Sequence, residues 1–158
     1  MLRALHDSQM EDYYRACETG DPETIQQAWL ALPSELQAEP TLVLLLACLE
    51  RQPTAVQDSI SREGIDLAGD QARTAFRMVC ERGDLPLLRY LVEQGVDYGR
   101  DLRWCLADAC QKGSLASVEY LLTLGVEERI VLHCHQEYPI CRPIIRRYLQ
   151  ERRVKRAR

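Results

Sequence analysis

The chain has 158 residues, 46% of them apolar and 28% charged, with a net charge of −4. That is enough chain to bury one sizeable core and too apolar a composition for a disordered segment. The longest apolar run, Leu42 to Leu49, is far short of a membrane span, and the opening MLRALHDSQMEDYY places acids where an export signal needs a continuous apolar stretch. A cytoplasmic protein with no membrane partner is the expectation.

Seven cysteines, an odd number with no CxxC pair, argue against both a disulfide framework and a zinc ribbon. Charge is unevenly placed: residues 142–158 carry eight Arg or Lys against one Glu, a balance of +7 that leaves −11 for the rest of the chain. Two surfaces of opposite sign are expected.

Taken in chain order, four segments repeat. They begin ACETGDPETI at Ala16, ACLERQPTAV at Ala47, VCERGDLPLL at Val79 and ACQKGSLASV at Ala109, with offsets of 31, 32 and 30 residues. The repeat aligns Cys17, Cys48, Cys80 and Cys110 in one column, preceded by the small residues Ala16, Ala47, Val79 and Ala109. Free cysteine behaves as a small buried hydrophobe, so this column is read as packing.

Three residues after each cysteine stand Gly20, Arg51, Gly83 and Gly113. Glycine there suits a helix ending in the left-handed conformation, so Arg51 implies local strain or a different exit. Asp21, Asp84 and Ser114 follow as acceptors for the free N–H groups of a second helix, with Pro22 in its first turn. On the second helices the columns Ile25, Val56, Leu88, Val118 and Trp29, Ile60, Val92, Leu122 are four residues apart and share one face. A pair this short cannot cover such a stripe alone, so neighbouring pairs must stack.

Thr74-Ala75-Phe76-Arg77-Met78-Val79-Cys80-Glu81-Arg82-Gly83-Asp84 fits the motif TPLHxAAxxGH without a gap, and Gly64-Ile65-Asp66, Gly95-Val96-Asp97 and Gly125-Val126-Glu127 match the exit that follows it. On these residues the chain resembles the ankyrin-repeat family. The Pro and His of the motif are lost in every unit, and Trp104 replaces its Thr in the fourth. Gly95 to Trp104 is nine residues, shorter than the family's usual interval, so shortened fingers are expected.

The resemblance implies an all-α solenoid of stacked helix pairs. Its units run over about 11–40, 41–70, 71–100 and 101–127, with a divergent cap at 128–151 and a basic tail at 152–158. The first unit runs through Pro33-Ser34-Glu35 to Pro40 as an atypical cap, and the second begins near Thr41. Proline placement predicts a helix over Glu128 to Glu137, a break at Pro139 and a last helix from Arg142. An unrelated helix-pair solenoid makes the same amphipathic demand and is the structural alternative.

His133-Cys134-His135 with Cys141 offers metal-capable groups, but adjacent helical residues point in different directions, so no metal site is expected. A cysteine-phosphatase loop needs an Arg six positions beyond Cys134, and that position is Ile140. GxGxxG, GxxxxGK[ST], GxSxG and HExxH are absent. Neither an enzyme, a cofactor nor a small-molecule substrate is expected.

The family resemblance implies that a partner protein sits on the concave face of the stack. The position before the family's Thr is held by Arg73 and Arg103. The two variable positions after the small pair form a ladder of Glu18 and Thr19, Leu49 and Glu50, Glu81 and Arg82, Gln111 and Lys112. Arg77, Tyr98, Arg103 and Trp104 form the expected centre, because Tyr, Trp and Arg most often dominate interface energy. Such a module serves as an inhibitor, an immunity protein, an adaptor or a host-directed effector scaffold. The alternative is nucleic-acid or acidic-partner binding through Arg152, Arg153, Lys155, Arg156 and Arg158, residues that also suit a helix C-terminus.

Overall fold

The computed structural model describes residues 2–158, with side chains from residue 7 onward. Among the described residues the chain is all-helical, with no strand. Its α-helices are α1 (Leu2–Thr19), α2 (Pro22–Leu30), α3 (Ser34–Ala38), α4 (Pro40–Leu49), α5 (Pro53–Ile60), α6 (Asp70–Arg82), α7 (Leu85–Glu93), α8 (Leu102–Lys112), α9 (Leu115–Thr123), α10 (Glu128–Glu137) and α11 (Arg142–Arg156). No described helix is long and apolar enough to cross a membrane. Helices pack in neighbouring pairs: α1 on α2, α4 on α5, α8 on α9 and α10 on α11.

The chain divides into two compact units, one of Met1–Met78 with Leu91–Asp97, the other of Val79–Tyr90 with Tyr98–Arg158. In the first, α5 lies against both α4 and α1, and the core gathers Tyr13, Val43, Leu44, Val56 and Phe76. Hydrogen bonds tie in its two Gly-x-Asp exits: the Asp66 N–H donates to buried Thr41 Oγ1 at 2.8 Å, and the Asp97 N–H to the Leu67 carbonyl at 2.9 Å. In the second unit α10 packs on α8 and α11 on α9, around Leu106, Val118, Leu121, Val131 and Ile145.

The first helix of each pair ends in the same hydrogen-bonded form. Gly20, Arg51, Gly83 and Gly113 each donate N–H to the carbonyl of the column cysteine three residues back. The next residue then bonds the small residue before that cysteine: Gln52 to Ala47 at 2.9 Å, Asp84 to Val79 at 3.3 Å and Ser114 to Ala109 at 2.9 Å. This is the paired bonding of a Schellman cap, which satisfies carbonyls left free at the helix end. In the first pair the Asp21 N–H turns to Thr19 Oγ1 instead, at 3.2 Å.

The cap requires a left-handed residue, and the three glycines supply it with φ of 69° to 70°. Arg51 adopts φ 57° and is the one non-glycine residue with positive φ among those described. The strain inferred from the register is therefore present, and the exit itself is unchanged. A side chain in that conformation costs roughly 1–2 kcal/mol, part of which glycine gives back through its looser unfolded chain. Arg51→Gly is accordingly expected to raise the free energy of unfolding by about 1 kcal/mol. A urea midpoint that fails to rise, at unchanged slope, would count against this account.

The second helices begin as the sequence suggests, with one correction. Asp21 Oδ2 accepts from the Thr24 N–H at 2.9 Å and Asp84 Oδ1 from the Leu87 N–H at 3.2 Å. Ser114 occupies the cap position but makes no side-chain capping bond. Its Oγ lies where a Cβ on Gly83 would meet it at 3.0 Å, so the hydroxyl packs against the preceding turn instead. Of the two apolar columns, Val56, Leu88, Val118, Trp29 and Leu122 are buried, while Ile25, Ile60 and Val92 are half-buried.

Candidate interaction surfaces

The cysteine column is core. Cys17, Cys48, Cys80 and Cys110 are all buried, as are Cys105, Cys134 and Cys141. Cys80 is hydrogen-bonded to Cys105, and Cys110 to Cys134 and Cys141; the Cys141 thiol also lies 3.6 Å from the Cys110 carbonyl. Burial pushes the Cys17 thiol up to about 11, away from the thiolate needed for reactivity. His133 is exposed while Cys134 is buried, so the two neighbours face opposite ways. No group of three or more His, Cys, Asp or Glu has an arrangement suited to a metal ion among the described residues.

The expected partner-binding residues are mostly on the surface. In the first unit α6 exposes Arg77, while Arg73 is half-buried and ion-paired to Asp70 one turn earlier. In the second unit Glu81, Arg82, Gln111, Lys112, Arg103 and Trp104 are exposed, and Tyr98 is half-buried. Two rungs of the ladder are joined, because Lys112 Nζ lies 3.5 Å from the Glu81 carboxylate and also donates to the Glu81 carbonyl. Trp104 is 51% exposed, with the Arg103 guanidinium 4.9 Å above its ring. A 3-10 turn at Gly99–Asp101 replaces any hairpin there, and α8 begins directly after it. Between that turn and the segment after Gly125 lies a cavity of about 240 Å³, with Arg100 and Arg103 over Leu102, Val126 and Ile130.

The basic C-terminal residues are largely helical. α11 runs on through Arg152, Arg153, Lys155 and Arg156. Arg142 Nε and Nη2 donate to the His135 and Gln136 carbonyls at 3.0 Å each, closing the C-terminus of α10. Arg147 pairs with Glu119 of α9, and Arg156 with Glu128 of α10 at 3.2 Å. Arg152 donates to the Tyr148 hydroxyl at 3.0 Å. Arg153, Lys155 and Arg158 project as exposed cations.

A third surface is one that sequence reasoning missed. Between α1 and α4 the first unit has a groove of about 650 Å³, floored by Met10, Tyr14, Leu36 and Leu46. Asp7, Glu11 and Glu50 stand at its edge. Glu50 belongs to the expected ladder, whereas Asp7, Met10, Glu11 and Tyr14 were legible only as one face of α1 at spacings of three and four.

No protein-family model, curated protein or solved structure matches the chain.

Proposed function

We propose that the chain is a protein-binding module built from degenerate ankyrin-type helix pairs. The observation that carries this reading is Trp104, half-exposed beside the cation of Arg103 at the start of α8. A large indole left in water contributes little to the fold, yet it has the area and geometry that dominate interface energies when covered. Ladder residues of the same unit, Glu81, Arg82, Gln111 and Lys112, present mixed charge on exposed positions, a pattern suited to selecting one partner over another. Buried, reduced thiols are consistent with a cytoplasmic setting. The roles of inhibitor, immunity protein, adaptor and effector scaffold all use the same surface and differ only in what is bound.

The basic-tail reading is weaker, because two of its five cations, Arg152 and Arg156, already serve ties within the second unit. Affinity capture from native lysate with mass spectrometry tests the main reading. The Arg103→Ala, Trp104→Ala variant is expected to weaken the captured partner at least about thirtyfold, the loss of one strong interface anchor. Unchanged affinity for every captured protein would remove Trp104 from the site.

A further inference from the structure

The groove between α1 and α4 combines an apolar floor with a one-sided charge. Asp7, Glu11 and Glu50 have no ion-pair partner among the described residues. Residues 1–78 carry thirteen acidic against six basic side chains, so the local field reinforces that edge. Tyr14, only 8% exposed overall, lines the groove, and its hydroxyl has no hydrogen-bond partner among the described residues and is reached by solvent there. Burial raises its pKa first, and the nearby Glu50 carboxylate raises it further, so the phenol keeps its proton.

These features describe the complement of a cationic side chain with an aliphatic stem. Lys and Arg lay their methylenes along apolar surface while the charged head reaches polar groups. We propose that the groove docks an arginine- or lysine-bearing segment of a partner protein. The stem lies over Tyr14 and Leu46, and the charged head meets Glu11 and Glu50. This rests on the protein-binding reading and assigns the chemistry recognised in the first unit. A polypeptide is favoured over a small cation because the floor of Met10, Tyr14, Leu36 and Leu46 offers apolar area that a bare polyamine leaves uncovered.

Fluorescence anisotropy of the full chain tests it with a labelled amphipathic peptide of arginine, leucine and alanine, against the same peptide with glutamate for arginine. The arginine peptide is expected to bind and the glutamate peptide not. Glu11→Gln with Glu50→Gln is expected to weaken binding at least about tenfold, and Tyr14→Phe about threefold. Both variants should keep the helical circular dichroism of the parent. Equal binding of the two peptides, or indifference to the double variant, overturns the proposal. So does spermine displacing the peptide as effectively as unlabelled peptide, which marks a simple cation site. Light scattering that shows salt-sensitive self-association lost in the double variant would give the groove to α11 of a second copy and overturn it likewise. Arg103→Ala with Trp104→Ala should leave the peptide affinity unchanged. A negative groove result beside a partner lost with Trp104 therefore refutes this inference and leaves the protein-binding reading standing.

Discussion

Replacing Arg62 with alanine lowers the free energy of unfolding by about 3 kcal/mol, the cost of stranding a largely buried charge. Arg62 follows α5 and closes a network that draws on three helices of the first unit. Its Nε and Nη2 donate to Asp58 Oδ2 at 3.0 and 2.8 Å, and its Nη1 to Gln26 Oε1 of α2 at 2.7 Å. Its guanidinium lies 4.4 Å over the Trp29 ring. The same Asp58 oxygen accepts from the hydroxyl of fully buried Tyr13 in α1 at 2.6 Å. Both charged side chains are more than four-fifths buried, so their attraction is poorly screened. Loss of the cation leaves Asp58 supported chiefly by one phenol. Arg62→Lys keeps the charge but loses the planar fork and the ring contact, and should recover less than half of the loss. Urea denaturation decides the matter, and an alanine variant within about 0.5 kcal/mol of the parent, the usual range of a surface substitution, sinks the account.

That network was not legible in the sequence, and the reason is geometric. Tyr13 and Asp58 are 45 residues apart, and Arg62 and Gln26 are 36 apart. Periodicity reports which residue faces inward and not which distant side chain it meets. What periodicity and turn chemistry do encode came through: the cysteine column is buried, the cap register repeats, α10 spans Glu128–Glu137 and α11 begins at Arg142, as the prolines place them, although α11 continues through most of the basic tail. α3 (Ser34–Ala38) leaves no helical period in the sequence, where the stretch from Pro33 to Pro40 shows only as an atypical cap, since five residues are too few for one to register. Start signals alone placed Ser114 as a capping side chain, but its hydroxyl is drawn to the preceding turn. On the surface, exposure of the ladder follows from its register after the small buried pair. The groove on α1 escaped notice because its floor is assembled from three separate helices, and only Glu50 sat in a repeat column.

The two surfaces differ in what they offer a partner. In the second unit an exposed aromatic and its neighbouring arginine supply area and direction. In the first, carboxylates with no ion-pair partner among the described residues supply a charge to be neutralised, beside the apolar floor that Tyr14 shares. A rim of single-sign charge acts mainly on encounter rate and salt dependence, whereas burial of a large ring acts on dissociation. Substitutions at Glu11 and Glu50 should therefore slow association, and substitution of Trp104 should speed release.

Stability is expected to fall steeply between about pH 9 and pH 11, because the fold holds protons that the unfolded chain releases. Burial raises the Cys17 thiol to about 11. Cys80 is raised by its hydrogen bond with Cys105 and then by burial. The hydrogen bond between Cys110 and Cys134 raises the first and lowers the second, so that pair partly cancels. Burial and then the Asp58 hydrogen bond raise Tyr13 as well. In the unfolded chain these thiols titrate near 8.5 and the phenol near 10. Above those values the unfolded state binds fewer protons than the native one, so the free energy of unfolding falls as pH rises; below them the contribution is fully present. Each retained proton removes up to about 1.4 kcal/mol per pH unit, so Cys17 and Cys80 together remove a sizeable part of the roughly 5–15 kcal/mol that hold a domain folded. The urea midpoint should be level from pH 7 to 8 and drop sharply by pH 10.5. Cys17→Ala should reduce the slope between pH 9 and 11 by about one proton. A midpoint that stays level through pH 10.5 would mean that these thiols ionise in place, and the packed cysteine column would lose its main support.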